Sequence, residues 1–265
     1  MTRVAESEQT FDTGHMVNSS KQHLADLAHV APLVLAKEQL IAVPPPFQDL
    51  LPAVGLQRGW ATSVVGSPAG RVFAWALLSE LTRSGGWIAT VDVSGINLTA
   101  ANEVGLSIER VLVVSGTDAQ NWAPTMGALV GAVDVIVYGA PRHRIQPSTF
   151  RKLMSRCRER GTVLMQLPDR RHATKGGLPV EADVSFDVCP VGWSGLGDGH
   201  GRLASRAINV TASGRRIPGQ PRKGTFMVPD ACGTVRPISA PTTPTVPISA
   251  PLTSTERDPG LSIVR

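Results

Sequence analysis

A glycine-rich turn between an apolar strand and a helix is the segment of this sequence best suited to bind an anion. The turn, Gly66-Ser67-Pro68-Ala69-Gly70-Arg71-Val72, closes a strand predicted over Ala61–Gly66. Backbone N–H groups in such a turn, together with the positive end of the following helix, can cradle a phosphate. The phosphate-binding pattern is Gly-x4-Gly-Lys-Ser/Thr, and this turn is one residue shorter. Arg71 stands near the lysine position, and Val72 replaces the hydroxyl that holds magnesium. Pro68 removes one N–H donor. We therefore favour a tight strand-to-helix turn and expect no bound cofactor.

The remaining reactive residue types form no complete set. Asp92 and Asp134 are single carboxylates on separate predicted strands, so a pair for acid–base chemistry cannot be shown. The three cysteines lack Cys-x-x-Cys spacing, and no histidine has zinc-type spacing to a cysteine. Ser194 fails the Gly-x-Ser-x-Gly pattern because Leu196 replaces the second glycine. We expect no metal site and, from the odd cysteine count, a reducing cytoplasm.

Apolar strands alternate with amphipathic helices through the middle of the chain. The predicted strands are Ala61–Gly66, Trp87–Val93, Arg110–Val114, Val133–Tyr138 and Thr162–Leu167, and the predicted helices are Arg71–Thr82, a short helix 100–104 capped by Thr99, Asp118–Val130 and Ser148–Arg160. Strands that are apolar throughout indicate an α/β fold with a mainly parallel sheet and helices on both faces. Val184–Val188 and Ala207–Ala212 are predicted to be antiparallel strands at its edge.

The composition divides the chain into three parts. Residues 1–45 are a polar and partly helical arm that ends in the linker Pro44-Pro45-Pro46, and residues 46–232 are the core. Residues 233–265 are rich in Pro, Thr and Ser and repeat Pro-Ile-Ser-Ala-Pro, so we expect a disordered tail. No apolar run is long enough to span a bilayer, and we expect a cytoplasmic protein with no membrane partner.

Positive charge is concentrated in one segment. Residues 142–175 hold ten basic residues and two acids, a net charge of +8, whereas the whole chain has +5. The cations lie in three groups: after the fourth strand, on the outer face of the helix, and after the fifth strand. A field of this kind attracts phosphates or an acidic protein surface, although a solvated helix face explains it equally well.

The chain resembles the ATPase core of RecA-type recombinases. The resemblance rests on the strand Val64–Gly66 with its turn, on Trp87–Asp92 and above all on Ala132-Val133-Asp134-Val135-Ile136-Val137, and Arg206–Val228 is similar to the terminal strands of that core. The opening Leu51-Pro52-Ala53-Val54-Gly55-Leu56-Gln57-Arg58-Gly59 is similar to the ImuA branch of these proteins. The resemblance covers roughly residues 47–230, and it implies a RecA-like core.

Measured against this family, the catalytic positions are eroded. Ser94 stands where the resemblance implies a water-activating glutamate. Tyr138-Gly139 stands where it implies an aspartate that positions magnesium-bound water. Gln166 matches a polar residue that senses the γ-phosphate in the family. Because phosphoryl transfer depends on positioning and charge stabilisation, we expect no ATPase activity from such a site.

The resemblance implies a non-catalytic adaptor in SOS mutagenesis, a part of the response to DNA damage. Its implied partners are an ImuB-like Y-family polymerase-like protein and an error-prone replicative-type DNA polymerase, with RecA or DNA as further candidates. In RecA-type filaments the loops after the fourth and fifth strands line the DNA, so the implied DNA or partner contacts are Arg142, Arg144, Arg170, Arg171 and Lys175. When engaged, such a protein would associate with the nucleoid. The alternatives are a SulA-like inhibitor of cell division and a true DNA-dependent ATPase.

Overall fold

The computed structural model describes residues 39–66, 68–139, 143, 145–167, 182–196, 201–230 and 232–238. The strands in these residues are β1 Leu40–Ala42, β2 Gly55–Gln57, β3 Ala61–Val65, β4 Ile88–Val91, β5 Val111–Val114, β6 Val135–Tyr138, β7 Val163–Gln166, β8 Val184–Leu196, β9 Gly201–Ser213, β10 Arg222–Met227 and β11 Arg236–Pro237. The helices are α1 Ala69–Arg83, α2 Leu98–Glu103, α3 Trp122–Leu129 and α4 Pro147–Arg160, and 3-10 turns lie at Pro45–Leu50 and Ile108–Arg110.

Nine of these strands form one sheet in the order β11-β10-β9-β8-β3-β7-β6-β4-β5. Neighbours from β8 to β5 run parallel, whereas β9, β10 and β11 pair antiparallel. The α/β class and the mainly parallel sheet are therefore confirmed. The prediction for β8 was wrong in part, because β8 pairs in parallel with β3 and lies inside the sheet. The two strands of the β8–β9 pair are also longer than predicted, at 13 residues each.

Helices cover both faces of the sheet, as the alternation of elements predicts. Residues of α1 and α2 share one buried cluster with one face of the strands, and residues of α3 and α4 share a second cluster with the other face. The amphipathic character predicted for these helices is confirmed on α4, where Phe150, Leu153, Met154 and Cys157 form one buried stripe. Gly161, at φ 71°, ends this helix in the left-handed conformation that suits glycine.

Two helices begin differently from the prediction. Asn97 rather than Thr99 caps α2, because the Asn97 side chain accepts a hydrogen bond from Ala100 N at 3.0 Å. The predicted start of the third helix at Asp118 is a turn instead. The Asp118 carboxylate accepts hydrogen bonds from the backbone amides of Gln120 and Asn121. The helix α3 starts after this turn, at Trp122.

The edge strand β5 is less covered than its apolar sequence predicts. Leu112 is 43% exposed and Val113 is 53% exposed. Successive side chains on a strand point to opposite faces, so both faces of this edge are open in the described part of the chain. An apolar strand predicts burial only when neighbouring elements reach it, and β5 is the last strand at this end of the sheet.

The core extends beyond both boundaries set by composition. Leu40–Ala42 forms β1, which pairs antiparallel with β2, and Ile41 and Val43 are buried in the main cluster. At the other end, β11 pairs with β10, and Val235 packs against the same cluster. The composition did not reveal these two strands, because β1 has only three residues and β11 only two. Residues 1–38 of the arm and 239–265 of the tail lie outside the described residues.

Candidate functional site

The turn between β3 and α1 is closed on itself. The carbonyl oxygen of Gly66 accepts a hydrogen bond from Gly70 N at 2.6 Å, so this amide is already paired inside the turn. Gly66 has φ 107°, and a Cβ at this position would overlap the carbonyl oxygen of Val188 in β8. The turn is therefore packed against the neighbouring strand. This geometry fits the tight strand-to-helix turn that the sequence favours.

Arg71 and Val72 point along the side of α1. Arg71 Nη1 lies 3.4 Å from the carbonyl oxygen of Gly95, in the turn that follows β4. Val72 is half-buried and packs against the main cluster. The N-cap of α1 is Pro68, whose side chain has no oxygen that could cap the helix. Arg71, near the lysine position of the phosphate-binding pattern, thus contacts a neighbouring turn. Val72, at the hydroxyl position, contributes only apolar packing.

Gly139, which follows β6, lies against the backbone of Asp92. Its amide donates to Val91 O at 2.9 Å, and a Cβ at this position would overlap Asp92 O. An aspartate could not stand here without moving the end of β4. The absence of a carboxylate at this position is therefore built into the packing.

Asp92 has a structural role at the carboxyl-terminal ends of the parallel strands, directly after β4. Its carboxylate accepts hydrogen bonds from Gly116 N at 2.8 Å, from Thr117 N at 3.2 Å and from the Thr117 hydroxyl. These bonds hold the turn that follows β5. Ser94, two residues further, is exposed, whereas Gln166 is buried at 3% exposure. The serine supplies no carboxylate to activate a water molecule at the position of the missing glutamate.

Asp134 lies at the amino-terminal ends of the parallel strands, directly before β6 begins. It forms an ion pair with Arg58 at 2.8 Å and accepts from Trp87 N at 2.9 Å. Asp92 follows β4, whereas Asp134 precedes the adjacent parallel strand, so the two carboxylates lie at opposite ends of the strands. They do not form an acid–base pair.

A buried carboxylate that the sequence analysis missed is Asp183. It is 1% exposed, accepts from Ala61 N at 2.9 Å and pairs with Arg215 at 2.6 Å. It thereby joins the start of β3 to the turn that follows β9. Nothing in the local sequence indicates this role, because both partners are distant in the chain. Its contacts are structural.

Buried tyrosine and cysteine side chains lie beneath α3 and α4. The Tyr138 hydroxyl is buried and has no hydrogen-bond partner within the described residues. Burial raises the pKa of Tyr138 far above its usual range, and burial raises the pKa of the Cys157 thiol to about 12. Both groups therefore stay protonated at physiological pH. Cys157 therefore belongs to the core of the second buried cluster.

The residues expected to contact DNA or a partner fall outside the described structure. Arg142, Arg144, Arg170, Arg171 and Lys175 all lie outside the described residues. The middle group of the basic segment is described, and its cations are exposed on α4 as predicted: Arg151, Lys152, Arg156, Arg158 and Arg160. These five side chains give α4 a positive outer face.

A groove lies beside α1 and was not predicted from the sequence. Its volume is about 800 Å³. We call it the α1 groove, and its walls include Arg71, Val72, Trp75, Trp193, Leu203 and Arg206. The antiparallel register of β8 and β9 places Trp193 directly opposite Arg206. Trp193 and Arg206 are 13 positions apart in the sequence, and only the pairing of the two strands reveals that they are neighbours.

Neither a metal cluster nor a membrane-spanning helix is found in the described structure. Among the described residues, no group of three or more His, Cys, Asp or Glu side chains could hold a metal ion. Within the same part of the chain, no helix combines the length and apolar character needed to cross a bilayer.

The chain is similar to one sequence family and to one mycobacterial protein. Residues 49–172 match the family described as the MT3502 N-terminal domain. An uncharacterized protein of Mycobacterium tuberculosis (strain ATCC 25618 / H37Rv), Rv3395c, is 24% identical over 220 residues. That alignment covers 81% of this chain and 100% of the relative. The family match thus includes the closed turn, the parallel strands from β3 to β7 and most of the basic segment.

Proposed function

We propose that this chain is a non-catalytic adaptor of the ImuA type, built on a RecA-type core. In this role it supports an error-prone polymerase complex after DNA damage. One observation carries the proposal. The turn between β3 and α1 lies in a nine-stranded α/β sheet but lacks the lysine and the hydroxyl of the phosphate-binding pattern. A fold kept without its catalytic residues is what an accessory protein descended from an ATPase requires.

The arrangement of the strands supports the RecA-type core. The turn follows β3, a central strand with parallel neighbours on both sides, and α1 starts directly after it. The stretch that resembles the terminal strands of the recombinase core, Arg206–Val228, contains most of β9 and all of β10. Both strands extend the parallel sheet in antiparallel fashion.

The geometry of the turn supports a non-catalytic role. Transfer of a phosphoryl group needs donors and a cation around the transferred phosphate. Here Gly70 N is paired with Gly66 O, Val72 supplies no hydroxyl, and the position of Gly139 leaves no room for a carboxylate. Each change removes a different contribution to catalysis. Together they favour an adaptor over a DNA-dependent ATPase.

The charge distribution supports a role in binding. The +8 segment begins after β6, spans α4 and β7, and includes the exposed cations of α4. The proposed partners are an ImuB-like Y-family polymerase-like protein and an error-prone replicative-type DNA polymerase. Arg142, Arg144, Arg170, Arg171 and Lys175 are the proposed contacts, with an acidic protein surface as the preferred target and DNA phosphates as the alternative.

A pull-down from DNA-damaged cells tests this function. Full-length tagged protein is recovered with and without damage, and the bound proteins are identified by mass spectrometry. We expect a polymerase-like protein and an error-prone polymerase to be enriched after damage. Recovery of a tubulin-like division protein in their place would contradict the adaptor and favour the SulA-like alternative.

A further inference from the structure

An arginine in the α1 groove carries buried donors that have no acceptor. Arg206 Nε and Nη1 are buried and have no hydrogen-bond partner within the described residues. The guanidinium carbon lies 4.1 Å from the centroid of the Trp193 ring. Burial lowers the pKa of Arg206, but arginine stays charged at physiological pH. In the described structure this half-buried cation lines the groove without an ion-pair partner, so the groove favours an anion supplied from outside.

The acids near the groove do not meet this need. Asp230 lines the groove, but its carboxylate is engaged by the amide and hydroxyl of Thr234 and by the amide of Cys232. Glu103 also lines the groove, and in the described part of the chain neither acid accepts a hydrogen bond from Arg206 Nε or Nη1. The groove therefore leaves these two donors without an anion of its own.

The start of α1 adds to the positive potential. A second cavity of about 360 Å³ shares Pro68, Trp193 and Arg206 with the α1 groove and also contacts Ala69. The helix has 15 residues, no acidic residue in its first turn and no capping side chain. The positive end of its dipole thus lies beside the Arg206 guanidinium, where it would stabilise a negative charge.

The walls around Arg206 are apolar, and they are partly open to solvent at Val72, Trp193 and Leu203. Trp75 and Val72 line one side of the groove, and Trp193 and Leu203 line the other. Leu203 is 46% exposed, and Val191, beside the second cavity, is 40% exposed. A free inorganic anion would leave these surfaces uncovered. A segment of polypeptide would cover them while it delivers a charged group.

We propose that the α1 groove binds a peptide segment of a partner protein, with an Asp or Glu carboxylate on Arg206 and neighbouring apolar side chains on Val72, Trp193 and Leu203. The carboxylate would accept hydrogen bonds from the guanidinium, while the Trp193 ring holds the guanidinium plane. This inference rests on the proposed adaptor role, since it names the chemistry by which a partner docks. The groove is separate from the basic segment.

The test uses two synthetic peptide libraries and the full-length protein. In one library a central Asp is surrounded by randomised apolar positions, and in the other Asn replaces that Asp. Binding is measured by fluorescence anisotropy. We expect the Asp library to yield binders, and we expect the Asp→Asn change in a selected peptide to weaken binding about 10- to 100-fold.

Variants of the protein locate the contact. Arg206→Gln should weaken binding of the Asp peptide about 10- to 100-fold and leave binding of the Asn peptide unchanged. Arg110→Gln is the matched control, because Arg110 also lies over a tryptophan, Trp87, but donates to Gly85 O. It should bind the Asp peptide like the wild type. The Asp→Asn comparison uses wild-type protein and so stays informative if Arg206→Gln fails to fold.

Three results would overturn the inference. The first is equal binding of the Asp and Asn libraries, and the second is the absence of any binder in either. The third is that the wild-type protein binds inorganic phosphate but no peptide, and that Arg206→Gln abolishes this phosphate binding. If Arg206→Gln still recovers the polymerase proteins from damaged cells as well as the wild type does, the groove is not their docking site, whereas the adaptor function stands.

Discussion

The amide nitrogen of Gly70 donates to the carbonyl oxygen of Gly66 at 2.6 Å, in the turn where a phosphate would have to bind. Each anion-binding turn of this kind works by leaving its amides free to point at the ligand. Here one of them is consumed internally, and the turn packs against Val188 in β8. The turn therefore departs from a phosphate-binding loop in two ways: Arg71 and Val72 replace the lysine and the hydroxyl, and the Gly70 amide is paired within the turn.

Purified protein should hydrolyse no ATP above background, with or without single-stranded DNA. The reason is the combined absence of a lysine, a hydroxyl and two carboxylates at the positions of Arg71, Val72, Ser94 and Gly139. Release of phosphate from ATP is the measurement. Turnover that copurifies with the protein and disappears in Arg71→Ala would refute this prediction.

Gly139→Ala should destabilise the protein by about 1–3 kcal/mol, the usual cost of forcing extra volume into a packed site. The new Cβ would overlap Asp92 O and push β6 and β4 apart. Gly192→Ala is the control, because a Cβ at that position meets no atom within 4 Å, and it should change stability by about 0.5 kcal/mol or less. Chemical denaturation of both variants measures the difference. Equal stability of the two would contradict the close approach of Gly139 to Asp92.

The boundary of the folded domain should lie after Ile238. A chain ending at Ile238 should unfold like the full-length protein, because residues 239–265 are dominated by Pro, Thr and Ser. A chain ending at Cys232 lacks β11 and the packing of Val235, and it should be less stable by about 1–3 kcal/mol. Thermal and chemical unfolding compare the three chains. An unchanged midpoint for the shorter chain would mean that β11 contributes nothing.

Replacement of Arg142, Arg144, Arg170 and Arg171 by Ala should disrupt partner binding and leave folding nearly unchanged. The control removes the same charge from α4 through Ala at Arg151, Lys152, Arg156 and Arg158, which are exposed. If the loops bind an acidic protein, only the loop variant should fail to recover the partners in the pull-down.

If the loops bind DNA instead, affinity for DNA should fall in the loop variant. A plot of log affinity against log salt concentration should then become shallower by about one unit for each phosphate that the variant no longer neutralises. Wild-type behaviour of the loop variant in both assays would mean that the charge is a solvated surface.

Much of the fold follows from local patterns that the sequence displays. The stripe of α4 and the apolar run of β6 predict buried faces without knowledge of the rest of the chain. The prediction failed for β8, since a strand's direction depends on which neighbour it pairs with. It also failed for β1 and β11, where two or three residues gain their place only from a partner strand.

The candidate site divides in the same way. The absence of a lysine and a hydroxyl is legible in the sequence at Arg71 and Val72. The closure of the turn depends on β8, and the pairing of Trp193 with Arg206 depends on the register of β9. Proximity between residues that are distant in the chain leaves no local pattern, and for this reason the α1 groove emerged only from the structure.

The frequency of damage-induced mutations in a strain that lacks this protein tests the central claim most directly. The strain is complemented with the wild type, with Ser94→Ala or with an empty vector, and mutants are counted after ultraviolet irradiation. An adaptor without catalysis predicts that induced mutagenesis falls in the empty-vector strain and that wild type and Ser94→Ala restore it equally. Unchanged induced mutagenesis in the empty-vector strain would contradict the account, as would rescue that depends on Ser94.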